Sequence, residues 1–253
     1  PFARGAGAVT CAPQRRKGRG LAVAIALMAK LPQPGQVKTR LAAAIGAEAA
    51  AALALAFLRD SAARVARQAA AMGAVPVALH APADAGAAMA ALLPPGFRCV
   101  AQEEGDVGHR MECGFQALFA AGHGPVLLTG SDVPTLPQAL LVEALAAAAG
   151  GCDAAFVPVR DGGYCAVALA RPAAALFRGI AWSTPDVMAA TEAAAARAGL
   201  RLHRTAAWYD VDEALDLDTL RAEIAGIAPP GCAVLPGDEA PATRATLISR
   251  GAQ

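Results

Sequence analysis

The chain has 253 residues, of which 56% are apolar and 4% aromatic, with 22 Lys and Arg against 21 Asp and Glu. That length suffices for one large domain around a buried sheet, or for two small ones. A net charge of +1 excludes a global attraction for nucleic acid or an acidic membrane, so any anion has to be held by a local cluster. The six cysteines (Cys11, Cys99, Cys113, Cys152, Cys165 and Cys232) include no C-x-x-C pair, and no His-x-x-x-His accompanies them. A zinc site is therefore not expected, nor is a disulfide framework in a chain this long and this apolar, and scattered thiols make a cytoplasmic location the expectation.

Residues 1–20 read as a flexible basic leader. Its end, Arg15-Arg16-Lys17-Gly18-Arg19, runs into the apolar stretch Leu21 to Ala29 and imitates a signal peptide. That stretch ends directly in Lys30, lacks a small-x-small cleavage site and falls short of the ~20 residues that span a membrane, so it reads as a buried first strand. Residues 21–228 then alternate between strand and helix patterns. Strands are expected at 21–29, 75–80, 97–101, 125–130, 153–158, 163–168 and 201–207. Helices are expected at 41–72, 84–92, 110–121, 137–149, 172–177, 185–198 and 213–225. Continuous apolar strands at 21–29 and 125–130, with β-then-α alternation, predict a mainly parallel sheet covered by helices on both faces. Residues 229–253, which hold Pro229, Pro230, Gly231, Pro236, Gly237 and Pro241, read as a loosely attached tail.

Ligands of open parallel sheets bind beyond the carboxyl ends of the strands, which directs attention to the loops there. After the first strand, Lys30 to Arg40 carries two Pro-x or Pro-Gly breaks (Pro32, Pro34-Gly35) and then Lys38, Thr39 and Arg40. Free N–H groups at the start of a helix, joined by Lys and Arg, suit a phosphate chain; a solvated basic turn is the alternative. The glycine spacing is not that of a Walker A loop. After the strand at 125–130, Gly130-Ser131-Asp132-Val133-Pro134 puts a carboxylate where it would hold Mg²⁺ or Mn²⁺ against a diphosphate, unless Asp132 merely caps a turn. In the run from Gln102 to Met111, Gly105 and Gly108 permit close approach of a base or ribose beside Asp106 and Arg110; the same run also reads as a polar cap for the following helix. Arg160-Asp161-Gly162-Gly163-Tyr164 is either a hairpin turn or room for an acceptor with Asp161 as base. In Trp182-Ser183-Thr184-Pro185 the Thr-Pro pair marks a helix start, and the indole offers a stacking surface. In Asp210-Val211-Asp212-Glu213, Asp212 is either an N-cap or, if this loop folds back toward Asp132, one of these aspartates is a second metal ligand.

Taken in order, M-A-K-x-P-x-P-G-x-V-K-T-R-L, G-D-V-G-x-R-M, G-S-D-x-P-x-L, D-G-G-Y, W-S-T and D-V-D resemble the bacterial radical-SAM/selenodomain-associated transferases. That group, also called the arsenosugar-biosynthesis glycosyltransferase family, lies in the nucleotide-diphospho-sugar transferase superfamily. The likeness covers roughly residues 21–220. It implies a GT-A fold, with a Rossmann-like, mainly parallel sheet. It implies nucleotide-phosphate binding by Lys30, Gly35, Lys38, Thr39 and Arg40; Pro34 of the same loop, and Gly105, Asp106, Gly108 and Arg110 of the second motif, are expected to join them. It implies an acceptor side at Asp161, Gly162, Gly163, Trp182, Ser183 and Thr184 and a metal ligand at Asp132; Tyr164 is expected beside the acceptor, Asp212 as the second metal ligand, and Lys38 and Asp161 in catalytic roles. The sequence departs from the pattern at Val133, where Cys is common, and at Cys165, where an aromatic is common. Pro134 leaves no D-x-D motif.

The expected activity is metal-dependent glycosyl transfer from a nucleotide-sugar to a small-molecule acceptor. The alternative is nucleotidyl transfer, joining an NTP to a phosphorylated small molecule with release of pyrophosphate. The K-T-R-L element also looks like that of the phospholactate guanylyltransferases. A cation cluster favours a triphosphate on charge alone. A non-catalytic nucleotide-binding partner is a third class, disfavoured by the intact motif set. Neither nucleic acid nor membrane is an expected partner, and a homodimer is left open.

Overall fold

A computed structural model describes residues 22–251; the expected basic leader lies outside the described residues. Fifteen regular elements follow in order. They are β1 (Ala22–Lys30), α1 (Thr39–Ile45), α2 (Ala47–Met72), β2 (Val75–Ala81), α3 (Gly86–Leu92), β3 (Arg98–Ala101), α4 (Val107–Ala120), β4 (His123–Gly130), α5 (Gln138–Ala149), β5 (Ala154–Pro158), β6 (Tyr164–Leu169), α6 (Val187–Arg197), β7 (Leu202–Arg204), α7 (Ala214–Ile224) and α8 (Pro241–Gly251).

The strands form one sheet in the order β3-β2-β1-β4-β6-β5-β7. β1 pairs in parallel with β2 and β4, and β6 alone runs against its neighbours β4 and β5. Alternate residues of β1 serve opposite faces. Ile25, Leu27 and Ala29 pack with Phe57 and Leu58 of α2 and Leu140 and Leu141 of α5. Ala24 and Ala26 pack with Met111 and Phe115 of α4 and with Met188 of α6. Small alanines on a strand whose two faces are covered let both helix layers approach closely, which is how a core so poor in aromatics is filled.

Three expectations are corrected. The helix over 41–72 is two helices, because Gly46 at φ 87°, ψ 154° takes an extended conformation open chiefly to glycine and turns the chain. Residues 172–177 form only a 3₁₀ turn at Ala174–Leu176, which buries Leu176 and Phe177. The tail is not loose: α8 lies on α2, where the buried Asp60 accepts from Ala242 N (3.0 Å), Thr243 N (2.8 Å) and Thr243 Oγ1 (2.6 Å). That helix N-terminus is capped by a carboxylate from another helix, which no local pattern announces. Among the described residues no helix is long and apolar enough to cross a membrane.

Candidate functional site

A cavity of ≈ 540 Å³ opens at the carboxyl ends of β1, β2 and β4, within the size range of small-molecule sites. Its lining includes Lys30, Lys38, Thr39, Arg40, Gln102, Arg110, Ser131, Asp132, Tyr164, Asp210 and Asp212.

The loop after β1 carries Lys38 at the N-cap of α1 with φ 49°, ψ 44°, a left-handed conformation that costs a non-glycine residue free energy. Its side chain, 5% exposed, donates from Nζ to Asp212 Oδ1 at 2.7 Å and meets Asp132 Oδ2 at 2.9 Å. The loop after β4 brings Asp132 to this point, and Val211 N–H donates to the Asp132 carbonyl at 3.0 Å, which ties the loop leading to Asp212 alongside. Arg40 pairs with Asp212 Oδ2 and, at 2.9 Å, with Glu213 Oε1. Burial opposes charge on Lys38, but the two carboxylates outweigh it and hold its pKa above the ordinary lysine value. For Asp212, burial works upward and Lys38 and Arg40 prevail, so its pKa lies below the ordinary carboxylate value. Asp210, which lines the same cavity without a cationic partner of its own, is pushed up to about 7, first by burial and then by the nearby charges of Asp212 and Asp161.

Asp212 does not serve as the helix cap. Glu213 is the N-cap of α7, and Asp216 Oδ2 accepts from the backbone N–H groups of both Asp212 (3.0 Å) and Glu213 (2.8 Å). The Asp212 carboxylate is thereby free to face the cavity. Asp106 is the cap of α4, accepting from His109 N at 2.8 Å.

Other sequence candidates do not line the cavity: Pro34, Gly35, Gly105, Asp106, Gly108, Asp161, Gly162, Gly163, Trp182, Ser183 and Thr184. Arg160 to Gly163 turn the chain between β5 and β6, with Asp161 Oδ1 accepting from Gly163 N at 2.9 Å. A Cβ on Gly162 (φ 91°) would lie 1.8 Å from the Pro185 carbonyl oxygen, so this turn docks on the segment before α6. A Cβ on Gly108 would lie 2.3 Å from Trp182 Nε1; the close approach permitted there is made by the indole. Trp182 also meets Tyr164 edge-on with centroids 6.3 Å apart. Lys38 and Ser183 (φ 61°) are the non-glycine residues with positive φ among the described residues, and each lies in one of the six motifs.

Sequence reasoning passed over Arg64. This fully buried arginine of α2 donates to the carbonyls of Val133 and Pro134, both at 3.0 Å, and to Ser61 Oγ at 3.2 Å; Ser61 Oγ in turn donates to the Ser131 carbonyl at 3.2 Å. Burial lowers the Arg64 pKa to about 10. The loop that carries Asp132 is thus held by α2 through three of its carbonyls. Gln102 was also passed over. Its amide nitrogen donates to Ala29 O (3.3 Å) and Leu79 O (2.7 Å), clamping the ends of β1 and β2.

A seven-stranded sheet with one reversed strand, helices on both faces and a cavity at the strand tips defines the GT-A class of nucleotide-diphospho-sugar transferase folds. The family described as "Uncharacterized protein conserved in bacteria" (DUF2064) matches residues 64–184. A crystal structure from Desulfovibrio desulfuricans G20, described as a "putative nucleotide-diphospho-sugar transferase", is 31% identical with a TM-score of 0.77. That match covers 91% of this chain and 95% of the other. The chain belongs to the nucleotide-diphospho-sugar transferase superfamily that this structure represents. At the level of fold it is also similar to 4-diphosphocytidyl-2C-methyl-D-erythritol synthase from Anaerococcus prevotii DSM 20548, at 10% identity and a TM-score of 0.52, with 81% and 99% of the two chains covered. CMP:2-keto-3-deoxy-manno-octonic acid synthetase complexed with CTP gives 11% identity, a TM-score of 0.53 and coverage of 81% and 99%. A comparison with curated protein sequences gives no match.

Proposed function

We propose that the protein is a metal-dependent glycosyltransferase that takes a nucleotide-diphospho-sugar and passes the sugar to a small-molecule acceptor. The observation that carries this reading is the convergence of Asp132 and Asp212, from separate loops, on one point in the wall of a nucleotide-sized cavity. Two carboxylates are a donor set that fits Mg²⁺ or Mn²⁺, which complete their shell with phosphate oxygens and water. Among the described residues no three His, Cys, Asp or Glu surround a common point, so water and the phosphate oxygens of the substrate have to supply the remaining ligands. A metal held there would offset charge on the departing diphosphate.

The chain's own groups take the other tasks. Lys30 and Arg110 reach the cavity and form no ion pair among the described residues, so they are free to meet phosphate oxygens. The glycines of the first two motifs shape the backbone around them. The acceptor side is assigned to the turn at Asp161, Gly162 and Gly163 and to the Trp182-Ser183-Thr184 segment, which connect to the cavity through Tyr164, a lining residue in edge-on contact with Trp182. Asp161, with Oδ1 engaged by Gly163 N, keeps Oδ2 to accept the proton of an attacking hydroxyl. The six motifs further suggest kinship with the radical-SAM/selenodomain-associated branch of the superfamily.

The second reading is nucleotidyl transfer from an NTP to a phosphorylated small molecule. The unpaired Lys30 and Arg110 favour it. Glycosyl transfer is preferred because Arg40, one of the cations a triphosphate calls for, is engaged by Asp212 and Glu213, and because the 31%-identical relative carries the sugar-transferase description. Thermal melting with Mg²⁺ or Mn²⁺ and a panel of NDP-sugars and NTPs tests this choice, followed by product analysis. Stabilisation by an NDP-sugar, with release of the nucleoside diphosphate, is the expected outcome. Pyrophosphate release from an NTP selects the second reading. Indifference to both classes in the presence of metal rejects the proposal.

A further inference from the structure

The point between Asp132 and Asp212 is claimed twice. Lys38 Nζ lies there, 2.9 Å from one carboxylate and 2.7 Å from the other, and the reaction proposed above needs a divalent ion at the same point. We propose that Lys38 is a tethered cation that occupies the point between the two carboxylates until a divalent ion takes its place, whereupon the ammonium is released to meet the phosphates of the nucleotide diphosphate. This rests on the metal-dependent reading and adds to it an order of events and a reason for a strained lysine.

Four observations carry the inference. The charges do not balance: among the described residues Asp132, Asp212 and Glu213 pair only with Lys38 and Arg40, so a divalent ion in place of the ammonium removes the excess negative charge. The geometry nearly accommodates the exchange. With oxygens at 2.7 and 2.9 Å from Nζ and a metal–oxygen distance of about 2.1 Å, each carboxylate closes in by less than about 1 Å. The loops that carry the carboxylates have anchors other than Lys38, the α2 clamp for the Asp132 loop and the Val211 N–H to Asp132 carbonyl bond for the loop leading to Asp212. Finally, Lys38 is held in the left-handed region, at φ 49°, with its side chain 5% exposed and Nζ 5.9 Å from the centroid of the Phe57 ring. A residue in that conformation persists only where its surroundings over-determine it, and loss of the two carboxylate bonds removes part of that determination.

A static ion triad makes different predictions. Mn²⁺ uptake followed by electron paramagnetic resonance, without nucleotide, compares the parent with Lys38→Met, and with Lys38→Gln should the first variant not fold. Removal of the competing ammonium is expected to tighten Mn²⁺ binding by at least about tenfold. In the parent, at the Mn²⁺ concentration that saturates this titration, acetylation of Lys38 read by mass spectrometry is expected to rise several-fold, with Lys30 as internal reference. If the variants bind Mn²⁺ no more tightly than the parent, or if Lys38 stays protected while Mn²⁺ is bound, the exchange is overturned and the metal-dependent reading stands. If no form binds Mn²⁺ with or without an NDP-sugar, the metal-dependent reading fails first and the exchange falls with it.

Discussion

The two ends of the sheet use the same ionic groups to opposite effect. At the amino-terminal end, Asp153 just ahead of β5 accepts from Arg201 N on one oxygen (2.9 Å) and from Arg171 Nε and Nη2 on the other (3.0 and 2.8 Å). Those bonds stitch together the start of β5, the exit of β6 and the start of β7. The backbone bond from Arg201, then the Arg171 guanidinium, hold the Asp153 carboxyl below its ordinary pKa. At the carboxyl-terminal end, one ammonium is shared between two carboxylates, and Asp210 is driven up to about 7 by burial and like charges. Where donors match acceptors, an ionic group is structural. Where like charges crowd in a cavity and go short of partners, the arrangement costs stability and is kept for chemistry.

Three variants put that contrast to the test. The largest effect is expected of Asp132→Ala, which should abolish metal-dependent nucleotide binding in calorimetry while leaving the melting temperature within a few degrees of the parent. Retention of parental affinity would remove Asp132 from the site. Next comes Arg64→Leu, which strands the carbonyls of Val133 and Pro134 in the interior. Urea denaturation should register a loss of about 3 kcal/mol, since breaking a buried charged network leaves its partners unsatisfied; a loss under about 1 kcal/mol would mean that the loop is held by other contacts.

The smallest effect, and the one that tests the opposite edge, belongs to Asp153→Asn. A carboxyl whose pKa is lower in the folded than in the unfolded chain stabilises above its unfolded value, here 3.8, and that contribution is lost as the pH falls through the folded value. The parent should therefore melt above the variant at neutral pH by a constant margin, and the two should converge below about pH 4. A margin that persists in strong acid would show that the bond geometry, not the charge, is what matters. Nucleotide binding should be unaltered throughout.

Much of this protein was legible in its residues. Apolar runs such as Val23 to Ala29 and Val126 to Thr129 have only one comfortable place, a strand covered on both faces, and the alternation with Ala-rich helices fixes the class of fold. Motif order pointed to the loops at the strand tips, because turn glycines and prolines are local punctuation. Helix breaks were harder: Gly46 interrupts an otherwise uniform alanine pattern, and α8 draws its N-terminal cap from Asp60, about 180 positions away in the chain (residue separation 182 and 183).

What tertiary structure alone decided is who pairs with whom. The sequence supplies Lys38, Asp132 and Asp212 as three separate signals, for phosphate, for metal, and for either a helix cap or a second metal ligand. Only folding brings the ammonium between the two carboxylates, moves the cap to Glu213 and sets Arg64 beneath the Asp132 loop. Periodicity and turn chemistry act over a few residues and can be read along the chain. Electrostatic partnership depends on distance through space and on burial, and neither is written in the spacing of the charges.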